Sequence, residues 1–231
     1  MNRIVDEAEW MEAHARQLAQ EKAATEALDR IAADRRRLPW LRVKTDYRFT
    51  GPAGDTDLEG LFEGRSQLIV YHHMLKPADP APCAGCSMFG DHIPHLAHLN
   101  ARDVTLAFVA RAPSPEIERY KRRMGWSMPF YQSIDSFGDD FGIDRGFGLN
   151  VFLRTDDGIM RTYYTSYRGV ETLGTPMALL DITPYGRQET WQDAPEGVPQ
   201  DAPYQWWRRH DEYDAQPSAP SAARRLARAQ A

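Results

Sequence analysis

Hydrophobic and polar positions change rhythm several times along this chain, and each change predicts an element. Residues 5–37 hold no Pro or Gly, are rich in Ala, Glu, Arg and Leu, and close before Pro39. That predicts one long helix with its stop signal in place. Its apolar stripe is thin, with Trp10, Met11, Leu18, Leu28 and Ile31 set among alanines. So weak a face does not make an ordinary core helix. It either lies across the domain surface or packs on a partner chain; a bend at Ala23-Ala24 into two helices folded back on the same chain is the competing arrangement. From Trp40 to Phe49 the rhythm becomes alternation. Leu41, Val43, Thr45 and Tyr47 share one face and Arg42, Lys44, Asp46 and Arg48 the other, which predicts a half-buried strand. Gly51-Pro52-Ala53-Gly54-Asp55 reads as a turn. Leu58, Leu61 and Phe62 form a short apolar cluster after it.

The stretch from Gln67 to Ala110 organises the rest. An apolar run to Leu75 is followed by a Pro-rich elbow (residues 76–82), then Cys83-Ala84-Gly85-Cys86, a helix-length segment from Ser87 to Leu99, and a second apolar run over 103–110. Two β-rich runs around one helical segment predict a strand–helix–strand unit with parallel strands. Beyond it, Pro113 to Glu116 opens a helix through Met124, with Lys121, Arg122 and Arg123 at its C-terminal end where the helix dipole favours cations. Trp126 to Ser133 reads as short and extended around Pro129, and 138–142 as a loop. Leu149–Leu153 and Ile159–Thr165 flank an Asp-Gly turn, a strong β-hairpin signal. Val170 to Ile182 suits a last helix on the sheet. From Thr183 the Pro and Gly content rises, and Trp191, Trp206 and Trp207 are placed to pin an irregular segment onto the domain. The reading is thus a helical extension over 1–38, an α/β domain over 39–190, a packed irregular segment over 191–213 and a disordered tail over 214–231. A parallel unit followed by a hairpin and a packing helix is the thioredoxin order, a central mixed sheet flanked by helices.

Composition narrows the classes. The 231 residues are 42% hydrophobic and 26% charged, enough for a full core. A net charge of −5 gives no case for nucleic acid. No apolar stretch approaches the ~18 residues needed to span a membrane. The first residues are acidic and lack the apolar core of a signal peptide. Cytoplasm is therefore the expected compartment, and no cofactor is expected.

The chemistry concentrates at the chain's two cysteines, Cys83 and Cys86. Two cysteines placed at random in a chain of this length fall three apart in under about 1% of arrangements. They sit where the first strand hands over to the helix, and a helix N-terminus favours a thiolate through its unpaired N–H groups and dipole. Cys83, the more exposed, is the candidate nucleophile, and Cys86 the resolving thiol. His72 and His73, at the end of the strand, are candidates to assist proton transfer. His92, His95 and His98 raise a metal-binding alternative, which Pro94 weakens by interrupting their row. A zinc knuckle needs a second C-x-x-C, and there is none. Three classes stay open: a thiol–disulfide oxidoreductase whose substrate or reductant is unknown, a Cys/His metal-binding module, and a non-catalytic binding scaffold. A homodimer through the N-terminal helix is the expected assembly.

Several stretches together resemble one bacterial family, that of domain of unknown function 899. They are Leu38-Pro39-Trp40, Gly64 through His72, Cys83-Ala84-Gly85-Cys86-Ser87, Ala101-Arg102-Asp103-Val104, Arg111-Ala112-Pro113, Gly125-Trp126, Val151-Phe152-Leu153-Arg154, Asp181-Ile182-Thr183-Pro184 and His210-Asp211-Glu212-Tyr213. The resemblance spans roughly residues 10–213. It implies a thioredoxin-like fold related to peroxiredoxins, and no established substrate. Two departures bear on chemistry. Thioredoxins place a proline before the strand facing the cysteines, where this chain has Gly148-Leu149-Asn150. Peroxiredoxins place Pro and Thr upstream of their reactive cysteine, where this chain has Lys76 and Pro80.

Overall fold

The computed structural model describes residues 3–44, 46–141, 146–194 and 196–213. The tail over 214–231, read from the sequence as disordered, lies outside the described residues.

The chain opens with α1 (Glu7–Arg35), capped by the Asp6 carboxylate, which accepts from the Glu9 N–H at 2.9 Å. It is one continuous helix, so the bend expected at Ala23-Ala24 as the alternative does not occur. None of its residues is buried. At 1.5 Å per residue its 29 residues extend about 44 Å. Its link to the rest includes the Arg35 guanidinium, stacked 4.4 Å over the Tyr163 ring.

Eight strands then build one sheet. β1 (Leu41–Arg42), β2 (Arg48–Gly51) and β3 (Gly54–Asp57) precede a short 3-10 turn at Gly60–Phe62. The central unit is β4 (Gln67–His72), the helices α2 (Ala84–Asp91) and α3 (Ala97–Asn100), and β5 (Val104–Ala110). After it come α4 (Ser114–Arg123), β6 (Phe130–Ser133), α5 (Phe137–Asp140), the hairpin β7 (Gly148–Thr155) and β8 (Gly158–Thr165), then α6 (Arg168–Glu171) and α7 (Thr175–Asp181). The sheet order is β1-β8-β7-β4-β5-β6-β2-β3. β4, β5 and β6 run parallel; β7 runs antiparallel to β4, and β8 antiparallel to β7, back in the direction of β4. That central order is the thioredoxin-like fold, widened by β2–β3 at one edge and β1 at the other.

Strand alternation sorts the core onto two faces. Tyr71, Leu106, Phe108, Ala110 and Leu149 turn toward the face covered by α2 and α4. Leu68, Val70, Ala107, Val109 and Phe152 turn to the opposite face, against Leu58, Leu61, Phe62 and Phe137. Strands buried on both sides read as continuous apolar runs, which is why β4 and β5 stood out in the sequence.

Several expectations are corrected. The single strand over 40–49 is two strands at opposite ends of the sheet, β1 at one edge on β8 and β2 one strand in from the other, between β3 and β6. The connecting residues cross one face, and Val43 and Tyr47 pack into its core. Their alternation reflected packing under the sheet, while Leu41, expected inside, is 59% exposed. The helix-length segment over 87–99 is interrupted around Pro94, as its sequence indicates, but the gap is wider than one residue: α2 ends at Asp91 and α3 begins at Ala97. The helix over 170–182 is two pieces, restarted at Gly174 with Pro176 in the first turn of α7. The loop over 138–142 holds the one-turn α5, which plants Phe137 and Phe141 in the core. No described helix is long and apolar enough to cross a membrane.

Candidate active site

Cys83 is the residue that caps α2. Its sulfur accepts from the Cys86 backbone N–H at 3.3 Å, the role an Asp or Ser oxygen fills at other helix starts. The first turn is locked from behind by Ser87, fully buried. Its hydroxyl donates to the Cys83 carbonyl at 2.7 Å and meets the Tyr120 hydroxyl of α4 at 2.6 Å.

The two sulfurs are held in unequal states. Cys83 is partly exposed and Cys86 buried. The Cys83 thiol is lowered to about 6, first because the Cys86 thiol donates a hydrogen bond to it. Burial opposes this, and the backbone N–H groups of Cys86 and Gly85 reinforce it. Cys86 is pushed well up by burial and by the negative charge developing on Cys83. The arrangement thus favours a thiolate at Cys83 beside a protonated Cys86. Tyr71, at the end of β4, lies against the Cys86 sulfur, and burial with the two cysteines holds its hydroxyl protonated.

The histidines are placed differently from expectation. His72 and His73 alternate to opposite faces of the sheet. His72 turns away from α2, stacks on Phe137 and bonds Asn150 at 3.1 Å. His73 faces the α2 side but is enclosed by Phe108, Tyr120, Trp126 and Phe130, and neither ring nitrogen has a hydrogen-bond partner. Desolvation lowers both to about 3. A neutral, enclosed imidazole does not relay protons to Cys83, so neither histidine keeps its expected role. His92 ends α2 and is half-buried, whereas His95 and His98 are exposed beyond the break. Among the described residues, no group of three or more His, Cys, Asp or Glu side chains is set to hold a metal ion.

Residues far along the chain complete the site. A Cβ on Gly85 would lie 2.4 Å from the Trp207 ring, so Gly is required there for the indole to pack. The Arg209 guanidinium donates to the Pro82 carbonyl at 2.5 Å. His210 bonds Asp91 at 2.9 Å, and Arg123 pairs with Asp211 and Glu212. The segment holding Trp207 is organised by Glu189, buried at 1% exposure, whose carboxylate accepts from Trp191, Trp206 and the Tyr204 N–H. A cavity of about 260 Å³ opens beside both cysteines. Sequence reading placed the tryptophans on the domain but not on Gly85. It missed Tyr71 and Arg209 altogether, although Gly85 inside the C-x-x-C was a signal of close approach.

Fold and site together define a thioredoxin-like protein with an asymmetric dithiol at the start of its first sheet-packed helix. The chain belongs to the family of bacterial proteins of unknown function DUF899, whose family model matches residues 1–213. Solved structures similar to it include a hypothetical protein, SMc02350, from Sinorhizobium meliloti 1021, at 10% identity and a TM-score of 0.41, covering 56% of this chain and 70% of that one. A candidate thiol–disulfide oxidoreductase from Bacteroides vulgatus is 16% identical with a TM-score of 0.41, covering 60% and 96%. The mitochondrial 2-Cys peroxiredoxin of Plasmodium falciparum is 15% identical with a TM-score of 0.39, covering 63% and 95%. No curated protein matches the chain. Likeness at this level says nothing about chemistry, which rests on the site itself.

Proposed function

We propose that the protein is a cytoplasmic thiol–disulfide oxidoreductase in which Cys83 attacks and Cys86 resolves. The Cys83 thiolate attacks one sulfur of a substrate disulfide; the S–S bond breaks and the leaving sulfur departs as a thiolate that takes a proton from water. Cys86 then loses its proton and attacks the Cys83 sulfur of the mixed disulfide, releasing the second substrate thiol. The pair ends oxidised as one intramolecular disulfide and the substrate reduced as two thiols. A thiol reductant reverses the pair's oxidation.

The observation that carries this reading is the inequality of the two sulfurs: one partly exposed with its thiol lowered to about 6, the other buried and protonated. The test is trapping. Cys86→Ser incubated with bis(2-hydroxyethyl) disulfide should accumulate a mixed disulfide at Cys83, located by mass spectrometry. Cys83→Ser should accumulate none. Equal trapping in both variants, or trapping at Cys86 alone, contradicts the assigned roles.

A further inference from the structure

The cavity beside the cysteines bears on what Cys83 attacks. Its wall is made largely by Tyr71, Met74, Phe89, Phe147, Val170 and Met177, with Cys83 and Cys86 at one side. At about 260 Å³ it exceeds the ~150 Å³ that holds a benzene molecule. One six-membered ring with a short linker fits. The charged side chains at its rim are already matched: Glu171 pairs with Arg187 at 2.9 Å and with Arg168 at 3.6 Å, and Arg168 also lies over the Trp191 ring. Such a rim offers no surplus charge to an anionic substrate. An extended polypeptide meets a further obstacle. The backbone on both sides of Cys83 is taken, with Arg209 on the Pro82 carbonyl and Trp207 over Gly85. Phe147, which leads into β7 where thioredoxins offer backbone to a substrate chain, instead lines the cavity.

We infer that the substrate is a small disulfide carrying an apolar, ring-sized substituent, which this cavity seats while Cys83 attacks the adjoining sulfur. The inference rests on the redox reading above and goes beyond it by naming the substrate class. The products are one apolar thiol, one second thiol and the Cys83–Cys86 disulfide.

The test uses the full reduced chain and three disulfides: benzyl 2-hydroxyethyl disulfide, bis(2-hydroxyethyl) disulfide and insulin. Each single-turnover rate is divided by that of free dithiothreitol with the same compound, which removes intrinsic reactivity. The benzyl compound should exceed bis(2-hydroxyethyl) disulfide by at least about tenfold, or about 1.4 kcal/mol, and insulin should be slowest. Val170→Trp, which puts an indole into the cavity in place of a small side chain, should bring the first ratio toward one. The unmodified chain carries the decisive comparison, so it stands even if that variant folds poorly. Exchange with all three compounds at equal normalised rates, or fastest with insulin, overturns the cavity assignment and leaves the redox reading intact. Binding of benzyl alcohol in the cavity by NMR, with no exchange at Cys83 for any disulfide, overturns both.

Discussion

Cys83 keeps its charge through donors from its own helical turn, so the consequences are local and measurable. Its alkylation by iodoacetamide should rise with pH around a midpoint near 6, while Cys86, buried and protonated, should react far more slowly in the folded chain. Replacing Cys86 by Ala removes the largest stabilising donor, and the Cys83 midpoint should move up. The same midpoint in both chains would assign the shift to the helix alone. The two strand histidines have the opposite kind of consequence. Both are lowered to about 3 by burial, below the ordinary value of 6.5, so the unfolded chain binds more protons than the folded one between those values. Their contribution to stability is complete above about pH 6.5 and is lost as pH falls toward 3. The loss reaches up to about 1.4 kcal/mol per pH unit for each. His73→Leu removes two unpartnered ring nitrogens from an aromatic enclosure. Urea unfolding should show a shallower acid slope, the rest coming from His72, His92 and the lowered carboxylates, with stability at pH 7 equal or higher by on the order of 1 kcal/mol. An unchanged acid slope would show that His73 is protonated in the folded chain.

At the scale of elements, the segment after α7 behaves as a strap tied at Glu189 and laid over the start of α2. Glu189→Leu removes the acceptor shared by Trp191, Trp206 and Tyr204. Limited proteolysis should then cut between residues 183 and 213 while the sheet stays folded. Cutting no faster than in the parent chain would mean that other contacts hold the strap. How much of this was legible depends on what each element obeys. β4, β5 and the β7–β8 hairpin follow periodicity and turn chemistry, and they were read correctly. α2 was placed but overrun, since nothing before Pro94 marks the end at Asp91. The residues from Leu41 to Phe49 misled because alternation reports which side is buried, not which strand is the neighbour. The strap was read as an irregular segment pinned by its tryptophans, but its seat was not: it has no period, and its contact with Gly85 spans more than a hundred residues. His72 and His73 were named as a pair because they are adjacent. Adjacency in a strand instead sends them to opposite faces.

The whole molecule combines a folded sheet domain with a 29-residue helix that buries none of its own residues. Trp10, Met11, Leu28 and Ile31 are each more than half exposed along it. A second copy covering this stripe is the expected outcome, since two-fold dimers are the commonest assemblies. Light scattering at micromolar concentration should give a dimer for the full chain and a monomer for a chain beginning at Leu38. A monomeric full chain removes the dimer. The central claim, that Cys83 and Cys86 form a redox couple, concerns the protein as it stands and is tested most directly by redox titration. The full chain is equilibrated in dithiothreitol and glutathione buffers of graded potential, quenched by alkylation and weighed by mass spectrometry. The account predicts reversible interconversion between two alkylated cysteines and one intramolecular disulfide, with a midpoint within about −200 to −270 mV, the range of glutaredoxin and thioredoxin couples. A pair that stays fully reduced at about −120 mV, beyond the most oxidising of those dithiol proteins, would contradict it.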